Sequence, residues 1–163
     1  MFSTQTVEVV DITDHDVVVD TTYKLDVVGV PMAQARPRRG RNGSFYNPKN
    51  KDMACFKAEI EDGVKGLVFN ADQPVAVDMK FFMRRPNDHF KSKDRSNTLK
   101  TNLPFAHTAK PDVDNLIKFM LVAMNKIVYE DDKQVVKLVV YKLCDNEGDC
   151  QGRTVLTVEP FTG

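Results

Sequence analysis

Residues 113–127, "VDNLIKFMLVAMNKI", constrain the fold more than any other stretch of the chain. Val113, Leu116, Ile117, Met120, Met124 and Ile127 recur at i, i+3, i+4 and i+7, so a helix over 113–127 turns one stripe toward a core. Phe119, Leu121, Val122 and Ala123 extend the apolar surface most of the way round. Such a helix needs a cover on a second side, and in a chain of 163 residues another subunit would supply it.

The remaining segments fall into place around that helix. "VEVVDITDHDVVVDTTYKLDVVGV" alternates as two or three strands do, with "DITDHD" as a turn. "PMAQARPRRGRNGSFYNPKN" reads as a loop from its proline, glycine and asparagine content. A second helix follows to about residue 62, with Met53, Phe56, Ile60, Ala54 and Ala58 on one side and Gly63 and Gly66 to end it. In "PVAVDMKFFMRR", Val75, Val77, Met79 and Phe81 share one strand face. Residues 84–110 are polar and aperiodic; their lysines and arginines suggest a long basic loop that orders on a partner. "QVVKLVVYKLC" and "TVLTVEP" complete the strands. The order βαβαββ, preceded by an extra strand or hairpin, indicates an α+β fold with one mixed sheet and two main helices, in a single domain over 1–163. Residues 1–20 read as an N-terminal extension.

Charge is balanced in total but not along the chain. Residues 31–51 carry Arg36, Arg38, Arg39, Arg41, Lys49 and Lys51 without one acid. Arg84, Arg85, Lys91 and Lys93 belong to a second basic stretch, whereas acids predominate before residue 30 and after 111. Two basic segments beside an acidic remainder fit a face that binds a polyanion next to an acidic site. Arginines bind backbone phosphates well through their forked donors. Phe45 and Tyr46, between those basic residues, suit either stacking on an unpaired base or anchoring the loop; anchoring is the commoner role. No run reaches the roughly 18 apolar residues of a membrane span. The first residues lack the basic and apolar regions of a signal peptide. Cys55, Cys144 and Cys150 form no CxxC pair, which suggests reduced thiols in a cytoplasmic protein.

The acids of "KPDVDNLIK" carry the chemistry. Asp112 directly before a helix is a good N-cap, and Asp114 in the first turn complements the helix dipole; each role contributes roughly 1 kcal/mol. Two aspartates both inside a helix would diverge by about 200°. With Asp112 still extended after Pro111 and Asp114 in the first turn, the carboxylates can converge. Converging carboxylates repel unless a cation lies between them. Lys118 offers a partial counter-charge at i+4, and magnesium a fuller one. Asn115 suits capping or holding a water, and His107, in the preceding loop, a phosphate contact. The acidic turn at 130–132 supplies a further carboxylate, with one of Asp131 and Asp132 facing the pair.

The segment "KPDVDNLIKFMLVAMNKIVYEDDKQVV" resembles the signature of the RusA-type Holliday junction resolvases, endodeoxyribonucleases common in phages and prophages. "ARPRRGRNGSFYNPK" is similar to the basic loop that many members carry. The strong match covers 110–136 and a weaker one extends over about 25–160. Val122 departs from the pattern, since many members have an acid there. The resemblance implies an α+β homodimer that cuts four-way DNA junctions by paired nicks. It implies Mg²⁺, with Mn²⁺ as a substitute, held by Asp112, Asp114 and Asp132, and a lysine needed for cleavage at Lys118. Nucleases for flaps or forks, and a junction-binding protein that does not cleave, are the alternatives; a DxD glycosyltransferase needs a larger nucleotide-sugar domain than this chain provides.

Overall fold

The computed structural model describes residues 5–10, 20–64, 66–91, 98–147 and 149–163, with the backbone alone for 5–10 and 20. In chain order the elements are β1 (Gln5–Val10), β2 (Asp20–Val28), β3 (Arg38–Arg39), β4 (Phe45–Tyr46), α1 (Asn50–Asp62), β5 (Val75–Met83), α2 (Val113–Met124), β6 (Val135–Cys144) and β7 (Arg153–Pro160). Five strands form one sheet in the order β1-β2-β7-β5-β6, antiparallel throughout except for the parallel pair β5 and β6. The α+β architecture with a mixed sheet and two main helices is therefore as the sequence indicates. The turn "DITDHD" lies outside the described residues.

Period-two alternation sets which face of the sheet is buried. Val77, Met79 and Phe81 on β5 pair with Val158, Leu156 and Thr154 on β7, and these with Tyr23, Leu25 and Val27 on β2. All nine are buried. Paired residues share a face, so this side of the sheet takes the helices. Phe56 and Ile60 from α1, and Leu116, Phe119, Met120, Ala123 and Met124 from α2, complete one core cluster with them. Phe56 and Phe119 meet at the helix–helix contact, ring centroids 5.5 Å apart and tilted 59°. Each large side chain of α2 so buried contributes roughly 2 kcal/mol of transfer free energy.

Several local expectations are corrected. Phe119, not Val113, belongs to the core stripe of α2; Val113 is 42% exposed. The helix stops at Met124 because Asn125 is extended and Lys126 turns left-handed at φ +67, its N–H donating to the Tyr129 carbonyl. Ile127 still reaches the core from that turn. Ile117 and Leu121 pack partly against the same core, so α2 finds most of its cover within one chain. Ala54 and Ala58 face solvent, because the buried stripe of α1 is narrower than its alanines suggest. "PMAQARPRRGRNGSFYNPKN" is not all loop: β3 and β4 pair as a short ribbon.

The stretch 84–110 is likewise not structureless where it is described. Phe90 is buried and bridges to Leu99, and the Lys91 N–H donates to the Thr98 carbonyl, closing the base of the loop. Farther on, the Cys144 N–H donates to the Phe105 carbonyl and the His107 N–H to the Lys142 carbonyl, so residues 105–107 cover the end of β6.

Candidate active site

The sequence sets the entry into α2 by placing a proline before an aspartate. The Lys110–Pro111 bond is cis, and Asp112 is extended at φ −69, ψ 146, one residue before the helix. Asp112 thus occupies the N-cap, yet its side chain makes no capping hydrogen bond. Its carbonyl instead accepts from the N–H groups of Asn115 (3.2 Å) and Leu116 (3.4 Å). The capping account of "PDVD" fails at its first acid, and that exposed carboxylate is left for something else.

Asp114 sits one turn before Lys118, whose Nζ is 3.8 Å from Oδ2, with both side chains more than half exposed. Such an exposed ion pair contributes at most about 1 kcal/mol, so Lys118 is held loosely enough to swing toward a bound anion. The Asn115 amide donates to Asp114 Oδ1 at 3.3 Å, and the Asn115 carbonyl accepts from the Gln34 N–H at 2.8 Å. That second bond ties the loop after β2 to the first turn of α2. Between them opens a cleft of about 510 Å³ lined by Gln34, Arg36, Lys110, Pro111, Asp112 and Asn115. Cations thus border a carboxylate-bearing pocket.

Lys142 supports this corner from below. It pairs with Phe81 on the helix-bearing face of the sheet, and its Nζ donates to the carbonyls of Ala109 and Pro111. One ammonium therefore holds the turn that delivers Asp112. Sequence reasoning missed Lys142, although a lysine at an inward position of "VVKLVVYKLC" was the available signal. His107, beside it, has its pKa lowered by burial and next by the Lys142 charge.

Asp131 and Asp132 separate into two roles. Asp131 caps the 3-10 turn that follows it, accepting from the Lys133 N–H at 3.0 Å in a capping box closed by Gln134. That bond holds its carboxyl below the ordinary range. Asp132 is exposed and carries no such duty in the turn. Gln134 anchors the turn to the carbonyls of Asn70 and Gln73, beside the start of β5. Asp112, in contrast, is tied through Lys142 to the far end of β6. The two sites lie at opposite ends of α2, about 18 Å of helix apart. Among the described residues no three acidic, histidine or cysteine side chains gather in a way that would hold a metal. Within one chain the pair Asp112 and Asp114 stands without Asp132.

The basic residues divide more sharply. Arg36 lines the cleft, and the ribbon beyond it presents Arg38, Arg39 and Arg41 to solvent. Across the ribbon Arg38 pairs with Tyr46 and Arg39 with Phe45, so arginine and aromatic residues alternate over its two strands. Phe45 is 73% and Tyr46 50% exposed. Neither anchors the loop, contrary to the commoner role expected for them. Lys49 is half-buried at the start of α1, whereas Arg84 and Lys91 are exposed. Lys93 lies outside the described residues. Arg85 is the correction among the cations: it is 2% exposed and donates to the Asp145 carbonyl (2.9 Å), Asn146 Oδ1 (2.8 Å) and the Pro104 carbonyl (3.2 Å). It ties the loop to the sheet and faces no phosphate.

An exposed aspartate pair at a helix start, a lysine one turn on, Arg36 in the cleft and an arginine ribbon beyond it give an α+β protein suited to a polyanion. The family model for "Endodeoxyribonuclease RusA" matches residues 29–159. The chain belongs to that family of DNA-cleaving enzymes. A relative is the "Uncharacterized protein YqaN" of Bacillus subtilis (strain 168), 33% identical over 132 residues that cover 76% of this chain and 89% of the relative. The family match begins at Gly29, directly after β2. No helix among the described residues is long and apolar enough to cross a membrane.

Proposed function

We propose that this chain is a magnesium-dependent, structure-selective endodeoxyribonuclease that resolves four-way DNA junctions by paired symmetric nicks, acting as a homodimer in the cytoplasm. The observation that carries this reading is the Asp112 carboxylate, at an N-cap position but released from capping, next to Asp114 in a cleft bordered by Arg36 and Lys110.

The donor set fits the ion. Magnesium takes one or two carboxylates and completes its shell with waters and phosphate oxygens, which exposed Asp112 and Asp114 permit. When bound, it supplies a Lewis acid for the scissile phosphate and for the attacking water. The chain's own groups do the rest. Arg36 and Lys110 hold the phosphodiester in the cleft, and Arg38, Arg39 and Arg41 bind flanking phosphates without reading sequence. Lys118 leaves Asp114 to balance the charge that develops on the phosphoryl oxygens. Asp132, rather than Asp131, which is committed to its turn, is the third ligand; since it lies at the other end of α2 within one chain, the homodimer must bring it to the pair. Phe45 and Tyr46, exposed on the ribbon, stack on bases left unpaired at the branch.

The test is incubation with a synthetic mobile junction, with and without Mg²⁺ and with Mn²⁺ in its place. Symmetric, ligatable nicks that need the metal are expected, and Asp114→Asn is expected to slow them by about a hundredfold or more. Nicking and binding that both survive Asp114→Asn refute the site. The open stacking surface also suits flaps and forks, so these are compared side by side; equal cleavage of all three transfers the reading to branched DNA in general.

A further inference from the structure

Resting on that reading, we infer that Gln34 selects the base beside the cut, by pairing its side-chain amide with adenine in the major groove. Gln34 lines the cleft that holds Asp112, together with Arg36, Lys110 and Asn115. It is half-buried, and among the described residues its side-chain amide has no hydrogen-bond partner. The amide oxygen and nitrogen therefore remain available to a ligand in the cleft. The backbone of Gln34, by contrast, is fixed. The Gly29 N–H donates to the Gly152 carbonyl at 2.8 Å, Pro31 is buried, and Met32 and Ala33 pack against the core. The Gln34 N–H then donates to the Asn115 carbonyl at 2.8 Å, which sets it against the first turn of α2, where Asp114 lies. Reading a base needs a side chain carried on a support of this kind.

The chemistry of the amide points to a base and not to a phosphate. An amide carries no net charge, so it releases no counterion from the DNA backbone. It offers one donor beside one acceptor. In the major groove only adenine presents the complement, N7 accepting and N6 donating. Guanine presents two acceptors, cytosine a donor, and thymine an acceptor beside its methyl group. Asn115 is the other amide of the cleft, but its nitrogen donates to Asp114 Oδ1 at 3.3 Å, which commits it to the carboxylate. Arg36 follows Gln34 by two residues, at most about 7 Å of chain, and takes the phosphate. That span equals about two base-pair rises. The base within reach of Gln34 is thus next to the bound phosphate or one step beyond it. Cations in the cleft hold the backbone, and Gln34 reads the neighbouring base.

The test maps nicks to the nucleotide in a junction free to migrate through a core of mixed sequence. Wild type is expected to favour cuts with adenine at one fixed position, within two steps of the nick, by at least about fivefold over the other three bases, the discrimination of one bidentate pair. Gln34→Ala, which keeps the backbone bond to Asn115, is expected to lose the preference at that position. Gln34→Arg is expected to move it to guanine, whose two acceptors suit a guanidinium. A preference that survives Gln34→Ala, or an equal loss of cutting at every site, overturns the assignment. So does a wild type that favours another base there, or none. A wild type that cuts no branched DNA refutes the nuclease reading, and binding then judges Gln34 by itself. Labelled junctions with a fixed branch point, differing only in the bases that flank it, are titrated in EDTA. Binding tighter by about fivefold with adenine there, and lost in Gln34→Ala, is the expected result; equal binding of all four overturns the assignment.

Discussion

Replacing Lys142 by methionine keeps the length of the stem and removes one ammonium. That ammonium donates to two carbonyls, of Ala109 and of Pro111, on the turn that enters α2. A hydrogen bond from a charged group contributes roughly 1.5–3 kcal/mol when dry. Lys142 is half-buried, so water replaces part of what the carbonyls lose, and a net cost of about 1–2 kcal/mol follows. For a domain of this size that lowers Tm by about 2–8 °C. The effect on cleavage is expected to be larger than on stability. Asp112 follows Pro111 directly, and a misplacement of about 1 Å in a reacting constellation costs on the order of a hundredfold. The assay is single-turnover nicking of a junction at 25 °C, well below Tm, beside a calorimetric scan. A drop of tenfold or more in the cleavage rate, with junction binding within twofold, is the expected result. Unchanged Tm and unchanged cleavage would refute the clamp.

Arg85→Ala should lower stability by about 1.5–3 kcal/mol, because a buried guanidinium bonded to the Asp145 and Pro104 carbonyls and to Asn146 is lost, whereas Arg39→Ala should leave Tm unchanged and reduce the salt dependence of DNA binding by about one phosphate; thermal scans and salt titrations separate the two. Asp112→Asn, measured without magnesium, should leave Tm unchanged or raise it, since no capping bond is lost; a marked fall restores the capping account. Phe45→Ala with Tyr46→Ala should weaken binding to a junction by about tenfold and to linear duplex hardly at all, read by titration of labelled DNA. Because the folded pKa of His107 lies below its ordinary value, the neutral form is favoured by folding. Its contribution is present above the ordinary histidine range and lost as pH falls through the lowered value. Tm should therefore drop between pH 7 and pH 5, and His107→Asn should flatten that drop.

Periodic segments were the legible part of this fold. The inward positions of β5 follow from strict alternation, and the core of α2 follows from helical spacing except at Val113 and Phe119, where the direction of the stripe depends on what it packs against. Asp112 and Asp114 were readable because a proline, a helix start and two acids leave few arrangements. Arg85 was misread because composition cannot distinguish a lysine- or arginine-rich loop that waits for DNA from one that is bonded to its own sheet. Phe45 and Tyr46 were misread for the opposite reason: aromatic residues in loops are commonly buried, and here a two-residue ribbon holds them outward. The position of Asp132 was beyond any local pattern, since it depends on which end of the sheet each loop reaches.

The covering of Cys144 and Lys142 by residues 105–107 also limits how this protein can associate. An edge strand free along its whole length can slide against its neighbour and recruit chain after chain into an open fibre. Here the last third is already occupied, so a newcomer finds only a short berth, and the border is less apt to propagate.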